Sequence, residues 1–425
     1  MDTDRVTTDP ATAGTELLLR FARAGHDAGY PTADLEERIV ALASSLGLEA
    51  EVSATPTLVE ISVGSLPRQR TYTLRVRPAL VDLDAISHLD ELVQQAIDVP
   101  LDAAEALVRL ARVQEASLAR PWPIVVAAYG TAGAALTPIL GGGWRETATA
   151  AIVGLVVGAI TVSATRTART EAIVAPLAAV AASFCATALA QAGLDASPDV
   201  VTLAALVTLL PGMTLTIGMR ELATEHLQSG VANTASALVQ LLGLVFGVGI
   251  GRSIAASWFG TVDTIAPDTA FSGVQLLAAV AAGLAFTLTL RARYRDAWVM
   301  CAATVLALGA NEVGSTIFGK EAAVFVAALV VGAAGGVTGW LLRRSALVFI
   351  VPGVLMLVPG SAGFNSMLKL LTDQTVDGVG AGFDTFLTAV SIAYGLMVST
   401  VILPRRFTQV QPRRLAPSSG EIRAT

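Results

Sequence analysis

The chain has 425 residues, of which 53% are hydrophobic and only 15% charged, with a formal net charge of -6. A water-facing domain carries about 25% charged residues, so most of this chain faces something other than water. The acidic balance argues against a nucleic-acid-binding surface, and Cys185 and Cys301, inside apolar segments without CxxC or ligand spacing, read as buried thiols rather than disulfide or metal partners.

The first residues, MDTDRVTTDPATAG, contain no apolar core of signal-peptide length, so no cleaved signal is expected and residues 1–14 read as a disordered tail. From Thr15 to Gly47 the pattern predicts two amphipathic helices, the second capped by Thr32 or Asp34 and ended by Gly47. EVSATPTLVEISVG and TYTLRVRP alternate as strands do, with Val59, Ile61 and Val63 on one face. Two more helices fit Asp82–Ile97 and Leu101–Ser117, the latter opened by Asp102 with Glu105 three residues on. Residues 15–118 therefore form a small cytoplasmic α+β domain.

Beyond Arg120 the composition turns apolar. Ten runs approach the ~20 residues a membrane-spanning helix needs: Trp122–Leu140, Thr147–Ala164, Ala172–Ala192, Val200–Ile217 and Val231–Gly251, then Phe271–Leu290, Ala297–Val313, Ala322–Leu342, Ala346–Phe364 and Val379–Leu403. Arginines gather in alternate connections, at Arg166 and Arg169, Arg220, Arg291, Arg293 and Arg295, and Arg343 and Arg344. Arg120 precedes the first run and Arg405 and Arg406 follow the last. The positive-inside rule then places both termini in the cytoplasm, as an even number of spans requires.

A shift of 148 residues superimposes the two sets of five runs. Pro211-Gly212 falls on Pro359-Gly360, and Met219, Leu222, Thr224, Gly230 and Gly247 fall on Met367, Leu370, Thr372, Gly378 and Gly395. Five crossings are an odd number, so the second copy enters from the opposite side. The fold class is an α-helical integral membrane protein of ten spans in two inverted five-helix repeats, residues 119–265 and 266–406, with a disordered cytoplasmic tail at 407–425. Inverted repeats are typical of secondary transporters that alternate access to one central site.

Several stretches carry a family resemblance. LLPGMTLTIGMRELATEHLQSGVANTASALVQLLGLVFGVGIG resembles the conserved membrane stretch of the threonine/serine exporter family. The segments LLLRFARAGHDAGYPTADLEERIVALASSLGLEAEVSATPTLVEISV and DLDAISHLDELVQQAIDVPLDAAEAL resemble its N-terminal domain. GGGWRE matches its turn after the first span, and VPGVLMLVPGSAG its second membrane unit. The resemblance covers about Thr15 to Arg406. It implies export of threonine and serine across the cytoplasmic membrane, driven by inward proton flow, with threonine, serine, protons and the lipid bilayer as partners. In that family's pattern the Pro-Gly break is followed by Asn and then Arg-Asp. Here Arg220-Glu221 fits the charged pair, Ile217 stands in the Asn position, and Asn365 occupies the equivalent place in the second repeat.

The residues that bear chemistry follow from this architecture. Proline and glycine inside a span free backbone carbonyls and amides, which can hold an ammonium and a carboxylate. A packing kink is the bland alternative. The expected substrate-binding residues are Pro211, Gly212, Thr214, Thr216, Pro359, Gly360 and Asn365; Thr208, with Thr214 and Thr216, offers a hydroxyl that could bind the substrate's or serve its own backbone. Proton coupling needs a carboxyl near the site, and Glu312 and Asp384 fall within spans. Arg220 and Glu221, at the cytoplasmic mouth, fit a gating ion pair or a solvated one. His26, His88 and His226 read as surface histidines. No GxxxxGK[ST], GxSxG or HExxH occurs, so neither ATP drive, hydrolase activity nor a cofactor is expected. A passive channel or facilitator for small polar solutes is the alternative, and an enzyme anchored by its helices a further one. A homo-oligomer is compatible with such a bundle.

Overall fold

The computed structural model describes residues 10–77, 81–99, 102–116, 121–164, 173–260, 273–357, 359–371 and 375–404. The chain divides into two compact units. The first takes residues up to Leu80 together with Ala85–Ala116; the second takes Val81–Asp84 and Ser117–Phe407.

In the first unit, α1 (Pro10–Asp27) and α2 (Thr32–Ser45) precede a three-stranded antiparallel meander, β1 (Ala50–Thr55), β2 (Leu58–Val63) and β3 (Arg70–Arg75). The helices α3 (Leu83–Asp98) and α4 (Ala103–Ala116) follow. Helix α1 begins inside the stretch expected to be a tail. Leu17, Leu18 and Phe21 of α1, Leu35, Ile39 and Leu42 of α2, and Ile86 and Leu89 of α3 recur at helical spacing and are fully buried. On β2, Val59, Ile61 and Val63 are all buried, the single face that their alternation predicted. Pro31, not Thr32 or Asp34, precedes α2, and it offers no side-chain cap because proline carries no oxygen there. Asp102 does cap α4, accepting from Ala104 N–H at 3.2 Å, whereas Glu105 turns to Arg109 at 2.6 Å.

The polar core of this unit joins α2 to α3. The Tyr30 hydroxyl donates to Asp90 Oδ1 at 2.7 Å, Arg38 Nε pairs with the same oxygen, and the guanidinium lies 4.8 Å from the Tyr30 ring centroid. Burial, with the Asp90 charge behind it, pushes the Tyr30 phenol well above its ordinary range. His26 is 5% exposed, so it is not a surface histidine: the last turn of α1 faces the β1–β2 turn, which covers it.

The second unit is helical. Its elements are α5 (Trp122–Leu136), α6 (Trp144–Ala164), α7 (Val174–Leu189), α8 (Pro198–Leu206), α9 (Gly212–Ala223) and α10 (Leu227–Phe259). Then come α11 (Val274–Thr289), α12 (Ala297–Phe318), α13 (Lys320–Leu342), α14 (Leu347–Leu357), α15 (Pro359–Leu371) and α16 (Thr375–Ile402). Among the described residues seven helical stretches are long and apolar enough to cross a membrane. An eighth is added if α8 and α9, bent by 55°, form one broken span. Two shorter apolar helices, α5 and α11, stand where the first and sixth spans were predicted. Helix α10 runs 33 residues rather than stopping at Gly251, and α12 continues to Phe318, five residues beyond its predicted end at Val313. All five tryptophans are exposed, and each lies within three residues of a helix end: Trp122, Trp144, Trp258, Trp298 and Trp340. That is where indole rings settle at a membrane–water interface.

Neighbour relations repeat along the chain. In the first set α5 packs on α6 and α8, α6 on α7 and α8, α7 on α8 and α10, and α9 on α10. In the second set α11 packs on α12 and α14, α12 on α13 and α14, α13 on α14 and α16, and α15 on α16. Asp195 and Arg343, 148 residues apart, both hold left-handed backbone, at φ 46 and 50. Between the sets, α5 meets α11, α9 meets α15 and α16, and α10 meets α15. Glycine permits the closest crossings: a Cβ at Gly247 or Gly251 would collide with backbone oxygens of α7, and one at Gly395 would lie 2.6 Å from Phe325 O of α13.

Candidate functional site

The chain stops being α-helical at Leu206. A single 3-10 turn, Val207–Leu209, leads into extended Leu210 (ψ 131), and Pro211 turns the chain into α9. Proline removes one donor and sterically opposes continuation of the preceding turn, which makes this the place for a break. The break strands carbonyl groups in an apolar setting, where an unmade hydrogen bond is costly. Gln240 of α10 answers one of them: its Nε2 donates to Leu209 O at 2.9 Å. Nearby, the Thr208 and Thr234 hydroxyl oxygens are buried without a hydrogen-bond partner among the described residues. Thr234 lies against Gly218 of α9.

Past the break, α9 buries Leu215 and Met219 against Ala237 of α10 and Ala389 and Ala393 of α16. Met213 packs with Val354 of α14 and Ile392 of α16. The broken helix is thus one of the elements through which the first set of helices touches the second. Near its end Glu221 is 2% exposed and accepts a hydrogen bond from Asn233 Nδ2 of α10 at 2.7 Å. Adjacent helical residues point to different faces. Glu221 turns inward to Asn233, and Arg220 is half-buried.

The other predicted site residues do not all converge here. Pro211 and Gly212 are buried at the break and Thr214 is half-buried. Thr216 is buried and spends its hydroxyl on Gly212 O at 3.0 Å, so it serves its own helix. Pro359 and Gly360 open α15, and residue 358 and the side chains of that pair lie outside the described residues. Asn365, Glu312 and Asp384 are exposed, the last two on α12 and α16. The predicted tail 407–425 also falls outside the described residues.

Two buried carboxylates at the starts of apolar helices escaped notice in the sequence. Glu146 of GGGWRE is fully buried, accepting from Gly143 N–H at 2.9 Å and Ser197 N–H at 3.1 Å, and so ties the start of α6 to the start of α8. In the second set, buried Asp296 before α12 pairs with Arg344 before α14. The only signal for either was an acidic residue at the start of a span, which looks the same whether it faces water or the interior. Gln240 and Asn233 were likewise hidden. Their spacing on one face of α10 gains meaning only once α9 is known to pack there.

Apolar helices long enough to cross a membrane define a multi-pass membrane protein, and its exporter relatives mark it as a transporter rather than an enzyme. The threonine/serine exporter description matches the chain twice, over residues 16–255 and 273–402. The first match alone exceeds half of the sequence, and the chain belongs to the threonine/serine exporter family. A Corynebacterium glutamicum protein named "Threonine/serine exporter" is 22% identical over 401 residues, covering 92% of this chain and 78% of the relative. A "Probable threonine/serine exporter" of Mycobacterium tuberculosis is 26% identical over 414 residues, with coverages of 91% and 75%. "Pheromone-regulated membrane protein 10" of Zygosaccharomyces rouxii is 24% identical over 365 residues, 83% of this chain but 37% of that protein. No solved structure matches the chain.

Proposed function

We propose that the protein is a secondary transporter that exports threonine and serine across the cytoplasmic membrane in exchange for protons. Ten spans form two inverted five-helix halves that alternate access to a site at the Pro-Gly break, with both termini in the cytoplasm. The observation that carries this reading is the break itself: α8 and α9 bend by 55° at Pro211, and α9 packs on α15 and α16 of the other half. Support for the repeat comes from the recurring neighbour relations and from the paired left-handed residues Asp195 and Arg343. The arginine-rich connections support the orientation.

At the break, the groups for a hydroxyl-bearing amino acid are the buried Thr208 and Thr234 hydroxyls, half-buried Thr214 and the backbone around Pro211-Gly212, with Pro359, Gly360 and Asn365 contributed by the second half. Glu312 and Asp384 stay candidates for proton coupling because ionisable side chains in spans are expensive to keep without a role. Glu221 joins them as the buried carboxyl on the broken helix itself, and with Arg220 it also stays a candidate for a gating pair at the cytoplasmic mouth.

The test is flux of radiolabelled threonine in oriented proteoliposomes with and without an imposed proton gradient. Uphill movement abolished by an uncoupler is expected. Purely downhill movement under every gradient would overturn proton coupling and favour a facilitator, and absence of flux would overturn the substrate.

A further inference from the structure

The break at Pro211 leaves backbone oxygens without the amide partners that a continuous helix would supply, in a setting where unmade bonds are costly. Leu209 O is one of them, and its donor comes from another element. Gln240 Nε2 of α10 reaches across to it at 2.9 Å. The residue before it, Thr208, is a second exception. Threonines along these helices spend their hydroxyls on the carbonyl one turn back, as Thr187, Thr216 and Thr287 do at 2.9, 3.0 and 2.8 Å. The Thr208 hydroxyl is buried and has no hydrogen-bond partner among the described residues. The end of the broken segment therefore holds one borrowed bond and one unmade bond.

The same level of α10 meets the second set of helices. Leu241, next to Gln240, is 2% exposed, and a Cβ on Gly363 of α15 would lie 3.2 Å from its Cδ1. On the far side of the break, Met213 of α9 packs with Val354 of α14 and Ile392 of α16. Gln240 thus stands where the break and the junction of the two sets coincide. Its unbranched side chain can change rotamer and release Leu209 O without any movement of α10.

A primary amide and an ammonium group can each donate to the same carbonyl oxygen, and the charged donor makes the stronger bond. We propose that Gln240 is a resident stand-in for the ammonium group of the transported amino acid, a role that rests on the transport function proposed above. With the site empty, the amide satisfies Leu209 O and the carrier closes without a stranded acceptor. On loading, the substrate ammonium takes Leu209 O and the amide swings away. Gln240 is therefore a competitor of the substrate that sets its affinity and lets the empty carrier change sides.

Equilibrium binding of radiolabelled threonine to the purified full chain in detergent tests this, comparing the unaltered chain with Gln240→Met. Methionine keeps the length of the side chain and has no donor, so the empty site is left with an unmet acceptor that threonine then meets. Threonine should bind Gln240→Met about fivefold or more tightly than the unaltered chain. In proteoliposomes the same variant should slow net efflux more than threonine–threonine exchange, which needs no empty crossing. A structure of the unaltered chain with threonine bound gives a readout that no variant's folding affects: Gln240 Nε2 should have left Leu209 O. Three results would each overturn this role of Gln240 and leave the transport reading standing: affinity unchanged or weaker in Gln240→Met, efflux slowed no more than exchange, or a threonine-bound structure in which Gln240 still bonds Leu209 O. An unaltered chain that binds neither threonine nor serine would overturn both.

Discussion

Glu221, Asn233 and His26 are polar residues whose surroundings make their behaviour specific. Glu221→Gln keeps the shape and can still bond Asn233, but it can no longer exchange a proton. If Glu221 couples protons, uphill threonine transport should fall at least tenfold while threonine–threonine exchange persists, as measured in the proteoliposomes described above. Loss of both would assign Glu221 to structure. Glu221→Ala removes the acceptor of half-buried Asn233, at a cost of about 1 kcal/mol, and should lower the unfolding midpoint more than Gln does. His26 responds to pH instead. Burial lowers its pKa, with Asp27 opposing that shift, so the folded unit favours neutral imidazole while the unfolded chain protonates near 6.5. Its stabilising contribution is therefore complete above about pH 6.5 and is lost as pH falls through the lowered folded value. Hydrogen exchange of the full chain should show weaker protection of α1's last turn and residues 55–57 at pH 5.5 than at pH 7.5. His26→Gln should flatten that difference.

Among the elements, α10 shows how sequence becomes packing. Gly243, Gly247 and Gly251 fall at four-residue intervals and face α7, where Gly247 and Gly251 let backbone approach backbone. Gly247→Val places a branched side chain against Pro176 O. Overpacking of this kind costs about 1–3 kcal/mol, and the detergent-extracted yield of folded protein should drop. Gly249→Val meets nothing within 4 Å and should be tolerated. The same helix turns Asn233, Thr234 and Gln240 toward α9, so one element serves both as packing surface and as polar lining of the break.

For the whole molecule the decisive property is the relation of its halves. Asp195 and Arg343 occupy equivalent, exposed, left-handed positions 148 residues apart. If the halves are inverted, they lie on opposite sides of the membrane. In a chain with Cys185 and Cys301 replaced by serine, Asp195→Cys should react with an impermeant maleimide from outside intact cells. Arg343→Cys should react only after the membrane is opened. Labelling of both from one side would exclude the inverted arrangement.

Much of this molecule was legible without coordinates. Periodicity and length located the helices, because an apolar run must leave water whatever it packs against, and alternation at Val59, Ile61 and Val63 named the buried face of β2. Pro211 located the break by its missing N–H. Side-chain partnership was not legible, since it depends on contacts between residues far apart in the chain. Glu146 meeting Ser197, Gln240 meeting Leu209 and Asp296 meeting Arg344 each join different elements, and the burial of His26 required β1 and β2 to fold over α1. The helix ends were also underestimated: α10 and α12 continue past polar residues because intrahelical hydrogen bonds do not stop where hydropathy does. By itself the sequence determined which segments leave water and where one of them must break. Only the tertiary structure decided which polar groups share the interior, because the cost of burying a charge is met by a specific neighbour.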